Sequence, residues 1–356
     1  MSAPVDVVIA VHTPSRPVGR AVASVLDGNA EHTRTTVVCH NVAAEEIAEV
    51  IAPEHRDRVR YLEHHDPRRS ASGPFNAGMA AAEGEFVSIM GSDDRLQPGA
   101  VASWLGLARR TGAETVVTRL ALGRPGRAVH TPPARPWLRG VADPVRDRLS
   151  YRSAPLGLVS RAARARLGAD LVEGMVVGGD VPYVTRLWFE TRVAVDRHGP
   201  AYVIGEDATD RVTYVPRPID QELAFLRHLL EQDWFRGYSA DSRRAIVTKL
   251  TRIHLFGAVH NRPDPHWWTD AERAALAVVA RALLDAAPGF EEVLSLADRD
   301  LLDAIRLRRA TAEQMIAAAH TRRRHGRPRT VLTRNPARTL AREAPLRLMA
   351  ASVLTR

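Results

Sequence analysis

Apolar residues along the first 120 positions fall into short β-branched runs separated by stretches of helical spacing. Val5 to Val11 is a run suited to a buried strand, and Ser15 to Leu26 then places Val18, Ala21, Val22, Val25 and Leu26 on one helical face. The alternation repeats with a strand at Thr35 to Cys39, a helix at Ala43 to Ile51 and a strand at Val59 to Leu62. The Ala-rich segment Asn76 to Glu83 is helix-prone and Gly84 ends it, after which Phe86 to Met90 is short and apolar enough for a covered strand. Gly99 to Arg110 predicts a helix and Thr115 to Thr118 a further strand. Strands alternating with helices predict an α/β, mostly parallel sheet with helices on both faces.

Prolines and arginines break the pattern from Gly123 to Pro155, predicting a long irregular loop over the sheet. Helices are predicted at Ser160 to Leu167 and Tyr183 to Glu190, and a late strand at Ala201 to Ile204. Beyond Arg217-Pro218 the texture is helical, with segments at Asp220 to Gln232, Ser239 to Val259, Thr269 to Ala286 and Asp298 to His320. This predicts three parts: an α/β domain over 1–217, a helical subdomain over 218–320 and a tail over 321–356. There is no internal repeat.

Composition narrows the chemistry. The chain has 356 residues, of which 45% are hydrophobic and 26% charged, as in ordinary globular proteins. The only cysteine is Cys39, which excludes an intrachain disulfide and a cysteine-based metal site. No apolar run reaches membrane-spanning length, and the opening residues enter a strand pattern with no basic stretch ahead of it. A cytoplasmic setting is therefore expected. Lys249 is the single lysine, so a phosphate-binding Gly-Lys-Ser/Thr loop is excluded and Schiff-base chemistry would have to use that residue. The net charge of +9 belongs to the tail, where His320 to Arg356 holds ten arginines and one acid, Glu343. Such a tail suits a polyanion or an anionic membrane surface at the inner face of the cell membrane. Arg338 to Leu354 has near-helical apolar spacing interrupted by Pro345, so it reads as a kinked or late-starting amphipathic helix, for a membrane surface or another subunit, or as disordered until bound.

The candidate chemistry gathers after the strand Phe86 to Met90, where Asp93 and Asp94 follow at its carboxyl end. Open α/β sheets bind ligands there. Adjacent carboxylates repel unless a cation lies opposite, and an oxygen-only set suits Mg²⁺ or Mn²⁺. A solvated turn with a helix cap is the plainer alternative. Asp180, before a predicted helix, is either a working carboxylate or an N-cap. Trp267-Trp268 reads as a sugar platform or as a hydrophobic staple, Trp137 as a sugar contact or a loop anchor, and Glu206-Asp207 as an acidic site or a turn. His254, His260 and His266 lack metal-site spacing and read as packing residues.

Across about residues 5 to 215 the order of elements resembles the GT-A-fold glycosyltransferases, in particular the inverting family 2 enzymes that use nucleotide-diphosphate sugars. Ala10-Val11-His12-Thr13 resembles the motif that packs on the nucleobase. Cys39-His40-Asn41-Val42 matches the segment whose aspartate reads the base, with Asn41 or His40 in its place. Asn76 and Gly78 match a further donor-site signature in which Phe75 replaces an arginine, and Gly91-Ser92-Asp93-Asp94 matches an Asp-x-Asp-Asp motif that has lost its first acid. Gly178-Gly179-Asp180-Val181-Pro182-Tyr183 resembles the segment carrying the acceptor base, with Gly179 where a glutamate would stand. The resemblance implies Asp180 as general base, Asp93 as metal ligand with Asp94 beside it, and Ala10, Val11, His12, Thr13, Asn41, Asn76, Ser92 and Asp93 around the donor.

It further implies a Mn²⁺- or Mg²⁺-dependent enzyme. The donor would be a nucleotide-diphosphate sugar, with UDP-sugar the default. The acceptor would be a carbohydrate, polyol-phosphate or lipid-linked hydroxyl of the cell envelope or of a secondary metabolite. No nucleic acid is expected, and homo-oligomerisation is left open. The motif losses motivate a rival reading, a non-catalytic sugar-nucleotide or polyanion-binding protein on the same fold.

Overall fold

The structure, a computed structural model, describes residues 3–68, 70–123, 127–206 and 216–355. Its strands in chain order are β1 (Val5–Val11), β2 (Thr33–His40), β3 (Val59–His64), β4 (Phe86–Gly91), β5 (Arg95–Leu96), β6 (Thr115–Val117), β7 (Leu120–Leu122), β8 (Ala128–Val129), β9 (Gly157–Ser160), β10 (Val193–Val195) and β11 (Tyr202–Ile204). Seven of them form a sheet in the order β10-β6-β9-β4-β1-β2-β3, in which only β9 runs antiparallel to its neighbours. The other four make a small sheet, β5-β11-β7-β8.

The central strand β1 is parallel to both β2 and β4, and its register sets Ala10 beside Gly91 and Val11 beside Cys39. Alternate residues of β1 feed two cores. Val5, Val7 and Ile9 pack with Val22 and Trp104 from the helices Val18–Leu26 and Ala100–Thr111. Val8 faces the other way, toward Met79, Leu187 and Trp188 on the helices Ser72–Ala80 and Asp180–Glu190. Gly78 lets the first of these helices lie close on the sheet, because a Cβ there would sit 2.2 Å from Val8. Asp6 is buried in β1 and ties three chain segments. Its carboxylate accepts from the backbone N–H groups of Glu83 and Gly84 at 2.7 and 2.6 Å and from Arg34 Nε at 2.6 Å.

A third core, including Leu226, Phe235, Phe256, Leu276 and Leu302, belongs to the helices after residue 218, yet it takes in Val181 from the first turn of Asp180–Glu190. The helical region therefore packs directly behind Asp180. Among the described residues no helix is long and apolar enough to cross a membrane.

The structure corrects several sequence expectations. β9 and β10, four and three residues long, add two strands that the sequence reading did not include. The segment Asp298 to His320 is two helices, Leu296–Leu307 and Ala312–Thr321, since Arg308 adopts φ 53° and Thr311 with Gln314 forms a capping box that starts a new helix. The helix expected over Asn76 to Glu83 runs Ser72–Ala80. In the tail the late-starting alternative holds: Pro345 opens the helix Pro345–Leu354, at a position that needs no backbone N–H. The tail packs against the body: Arg322 pairs with Asp298 at 2.7 Å, Arg334 with Asp303 at 2.5 Å, and buried Glu343 with buried Arg148 at 3.5 Å.

Candidate functional site

The carboxyl ends of β1, β2 and β4 come together along one edge of the large sheet, as their register requires. Ala10 to Thr13 leave β1 there, Asn41 leaves β2, and Gly91 to Asp94 leave β4. Asp93 is buried and points at Arg16, whose Nη2 lies 3.1 Å from its Oδ1 while the same guanidinium donates through Nε to Ser92 Oγ at 3.1 Å. Arg20 donates to the Asp93 carbonyl at 2.7 Å. Asp94 turns toward the small sheet, where it accepts from the Tyr202 hydroxyl at 2.5 Å and from the Gly205 N–H at 2.8 Å. That hydroxyl also accepts from the Gly91 N–H at 3.1 Å. Its proton is held well above the ordinary range, by burial first and by the Asp94 carboxylate next.

Asp94 opens onto a cavity of about 350 Å³ whose wall also carries Ser72, Phe75, Gly91, Tyr202 and Asp180. Two carboxylates 86 positions apart in the sequence thus share one chamber. Ala10 to Thr13 and Asn41 lie along the same sheet edge but do not line it. Asn76 is committed elsewhere, its amide donating to the Leu171 carbonyl at 2.9 Å and accepting from the Leu171 N–H at 3.0 Å, so that it clamps the segment leading to Asp180.

Asp180 begins the helix Asp180–Glu190 and the apolar region behind it raises its pKa to about 6. The opposing influence is Lys249, the lone lysine, which sits on the helix Ala240–Leu250 and is 2% exposed. Burial lowers Lys249 to about 8, against the pull of Asp180. Its ammonium lies 3.0 Å from His254 Nε2, and burial keeps that imidazole neutral, well below its ordinary pKa, so the ammonium donates. Between about pH 6 and 8 the site therefore holds an ionised carboxylate facing an ammonium. A carboxylate poised near neutrality is what proton abstraction from a hydroxyl needs.

The Asp93-Asp94 pair offers oxygen donors only, which fits a hard divalent cation. Asp94 lines the cavity with its carboxylate held by Tyr202 and Gly205, whereas Asp93 must share Arg16 with any ion. The other sequence candidates lie apart. Trp268 is buried with its indole N–H on the Arg262 carbonyl at 3.0 Å, and the Arg262 guanidinium lies 4.5 Å from the Trp267 ring, so the pair anchors the helix Asp270–Ala286. Trp137 is 72% exposed and outside the cavity. Glu206 pairs with Arg127 at 3.4 Å, and Asp207 lies outside the described residues.

Residues 6–161 match the family described as Glycosyl transferase family 2. This stretch is a family 2 glycosyltransferase domain. Its GT-A fold, with the helical region that follows, is shared with S. aureus TarS 1-349. In complex with UDP-GlcNAc that protein has a TM-score of 0.71 and 13% identity over 90% of this chain and 91% of its own. In complex with UDP it has a TM-score of 0.65 and 14% identity over the same shares. A structure of S. aureus TarS gives a TM-score of 0.66 at 14% identity over 89% of this chain but only 55% of its own. No curated protein matches the chain.

The two glycines that the resemblance sets at acidic positions, Gly91 and Gly179, are explained by space. A Cβ on Gly179 would lie 2.5 Å from the Val172 carbonyl oxygen and 2.8 Å from Ser72 Oγ. One on Gly91 would lie 2.6 Å from Asp94 Oδ2. Sequence reasoning missed Tyr202 and Arg16 as partners of the acidic pair, since neither lies in a motif. Lys249 gave a signal, being one lysine among 49 arginines.

Proposed function

We propose that the chain moves a sugar from a nucleoside-diphosphate sugar, a UDP-sugar being the first donor to test, onto an acceptor hydroxyl with inversion at the anomeric carbon. The observation that carries this reading is the shared cavity, with Asp94 on one wall and Asp180 on another. Asp180 takes the proton of the attacking hydroxyl, and its pKa of about 6 leaves it ionised at neutral pH. Ala10 to Thr13, Asn41 and Ser92 border the nucleoside, and Asn76 holds the Leu171 segment in place. A divalent cation, Mn²⁺ or Mg²⁺, held by Asp94 and Asp93 would offset charge on the departing diphosphate. Arg16 and Arg20 stand at the same spot, where a diphosphate is neutralised by guanidinium groups as well as by metal. The acceptor class is a carbohydrate, polyol-phosphate or lipid-linked hydroxyl of the cell envelope. The exposed arginines 323, 324 and 327 favour an anionic acceptor or membrane surface in the cytoplasm.

The test is thermal stabilisation by UDP, GDP, CDP and dTDP with Mn²⁺, Mg²⁺ or chelator, followed by transfer assays of Asp180→Asn. Saturating nucleotide at a hundredfold excess over Kd stabilises by about 2.7 kcal/mol. Asp180→Asn should keep that stabilisation and lose about 100- to 10,000-fold in transfer. Unchanged transfer refutes the assignment of the base. No stabilisation by any nucleotide favours the rival reading, a polyanion-binding protein on this fold.

A further inference from the structure

At the far side of the same sheet edge, β2 and β3 end side by side, and their register sets His40 directly across from His64. Both rings point toward one carboxylate two residues further on. His40 Nε2 is 2.9 Å from Asp66 Oδ1 and His64 Nε2 is 3.2 Å from Asp66 Oδ2. One ligand atom from each residue falls within a sphere of mutual distances no larger than 4.8 Å. Asp66 is fixed by its backbone: its N–H donates to Asn41 Oδ1 at 3.1 Å, its carbonyl accepts from Asn41 Nδ2 at 2.8 Å, and Asn41 takes φ 56° to make both contacts. The ligand-bearing turn is therefore built before any ion arrives.

A second feature keeps the site open. Gly73, in the first turn of Ser72–Ala80, faces the cluster so closely that a Cβ would lie 2.7 Å from Asp66 Oδ2 and 2.8 Å from His64 Nε2. Its neighbour Ser72 lines the cavity shared by Asp94 and Asp180.

We propose that His40, His64 and Asp66 bind a transition-metal cation of the zinc class, separate from the hard-cation site at Asp93 and Asp94. Two imidazole nitrogens and one carboxylate oxygen are the donor set of such ions, which Mg²⁺ and Ca²⁺ do not favour. Tetrahedral ligands about 2.0–2.1 Å from zinc stand about 3.3 Å from one another. The nitrogen-to-oxygen distances are 2.9 Å to Asp66 Oδ1 and 3.2 Å to Asp66 Oδ2, and with all three ligand atoms within 4.8 Å of one another, side-chain rotation brings them to that spacing. Three protein ligands leave a fourth position for water or an exogenous group. The bound ion ties the ends of β2 and β3 to the turn at Asp66, close beside Gly73 of the helix Ser72–Ala80.

The inference does not rest on sugar transfer, and its test does not read activity. Tag-free protein, stripped with chelator and dialysed, is titrated with Co²⁺ and then with Zn²⁺ against a chromophoric chelator. Wild type should take up one Co²⁺ per chain with the intense visible absorption of a tetrahedral site, and Zn²⁺ should displace it. His64→Gln and Asp66→Asn should each weaken binding by more than the roughly 10- to 100-fold that loss of an outer hydrogen-bond partner costs. The pair Asp93→Asn, Asp94→Asn should leave the spectrum unchanged. Circular dichroism shows that each variant is folded, and Gly73→Ala supplies a variant that crowds the site without removing a ligand. A wild type without tetrahedral absorption, or variants at His64 and Asp66 that keep it, overturns the proposal.

Discussion

Replacing Lys249 by Met removes the one cation aimed at Asp180 and keeps a side chain of similar length in an apolar place. In the native protein burial raises the Asp180 pKa to about 6, and Lys249 is the leading influence that restrains it. Removing a charge of this kind from a partly buried site is expected to move its neighbour by about one pH unit, which is about 1.4 kcal/mol. The sign is fixed: without the ammonium the carboxylate is harder to form, so the acid limb of kcat/KM moves upward from about 6 toward about 7. At pH 6 the ionised fraction drops about fivefold, whereas at pH 8 it falls by about a tenth. Lys249 loses its own proton near 8, where Asp180 is already ionised, so the loss of this charge leaves the plateau alone. The assay is kcat/KM for transfer between pH 5 and 9 at saturating metal. Coincident acid limbs in the two proteins would show that Lys249 does not govern the base. A collapse of the high-pH plateau would show that the lysine touches the reaction itself.

Three further outcomes follow from the packing. Asp6→Ala leaves Arg34 and two backbone N–H groups without their carboxylate and should cost about 3–5 kcal/mol in urea unfolding. Because the folded Asp6 pKa lies below the ordinary aspartate value of 3.8, that contribution is present above 3.8 and is lost as pH falls through the folded value, so the variant should show a flatter acid branch of stability. Gly178→Ala meets two obstacles, a φ of +75° and a Cβ only 2.3 Å from Phe225, and should destabilise by about 2–4 kcal/mol with a loss of transfer as Asp180 shifts. Glu343→Ala strips buried Arg148 of its counter-charge and should lower stability by about 3 kcal/mol, measured by denaturant midpoint at constant m-value.

The β-branched runs of β1, β2 and β4 were legible because a strand covered on both faces has no polar side, and the motif glycines and aspartates marked where those strands end. β9 was not, because it directly follows the proline- and arginine-broken stretch 123–155, and neither was the three-residue β10. In the site, Asp94 and Asp180 announced themselves as carboxylates after a strand and before a helix, but their common cavity is a tertiary fact. Lys249 belongs to a helix that reads as ordinary packing, and its partner lies 69 positions away. His64 and Asp66 were invisible because the ligand set is assembled across two strands, with no spacing along the chain to betray it. The tail was read from charge alone, and charge does not reveal that Glu343 is the residue that docks it.

The two glycines at the former acidic positions differ in how reversible they are. At Gly91 the obstructing atom is the tip of the Asp94 side chain, which can swing aside at the expense of its bond to Tyr202. At Gly179 the obstruction includes the Val172 backbone, which cannot. Putting a glutamate back at 179 would therefore do harm before it did good, and the 171–173 segment would have to be rebuilt first. Glycine at 179 is locked in by its surroundings in a way that glycine at 91 is not: one replacement asks a side chain to turn, the other asks backbone to move.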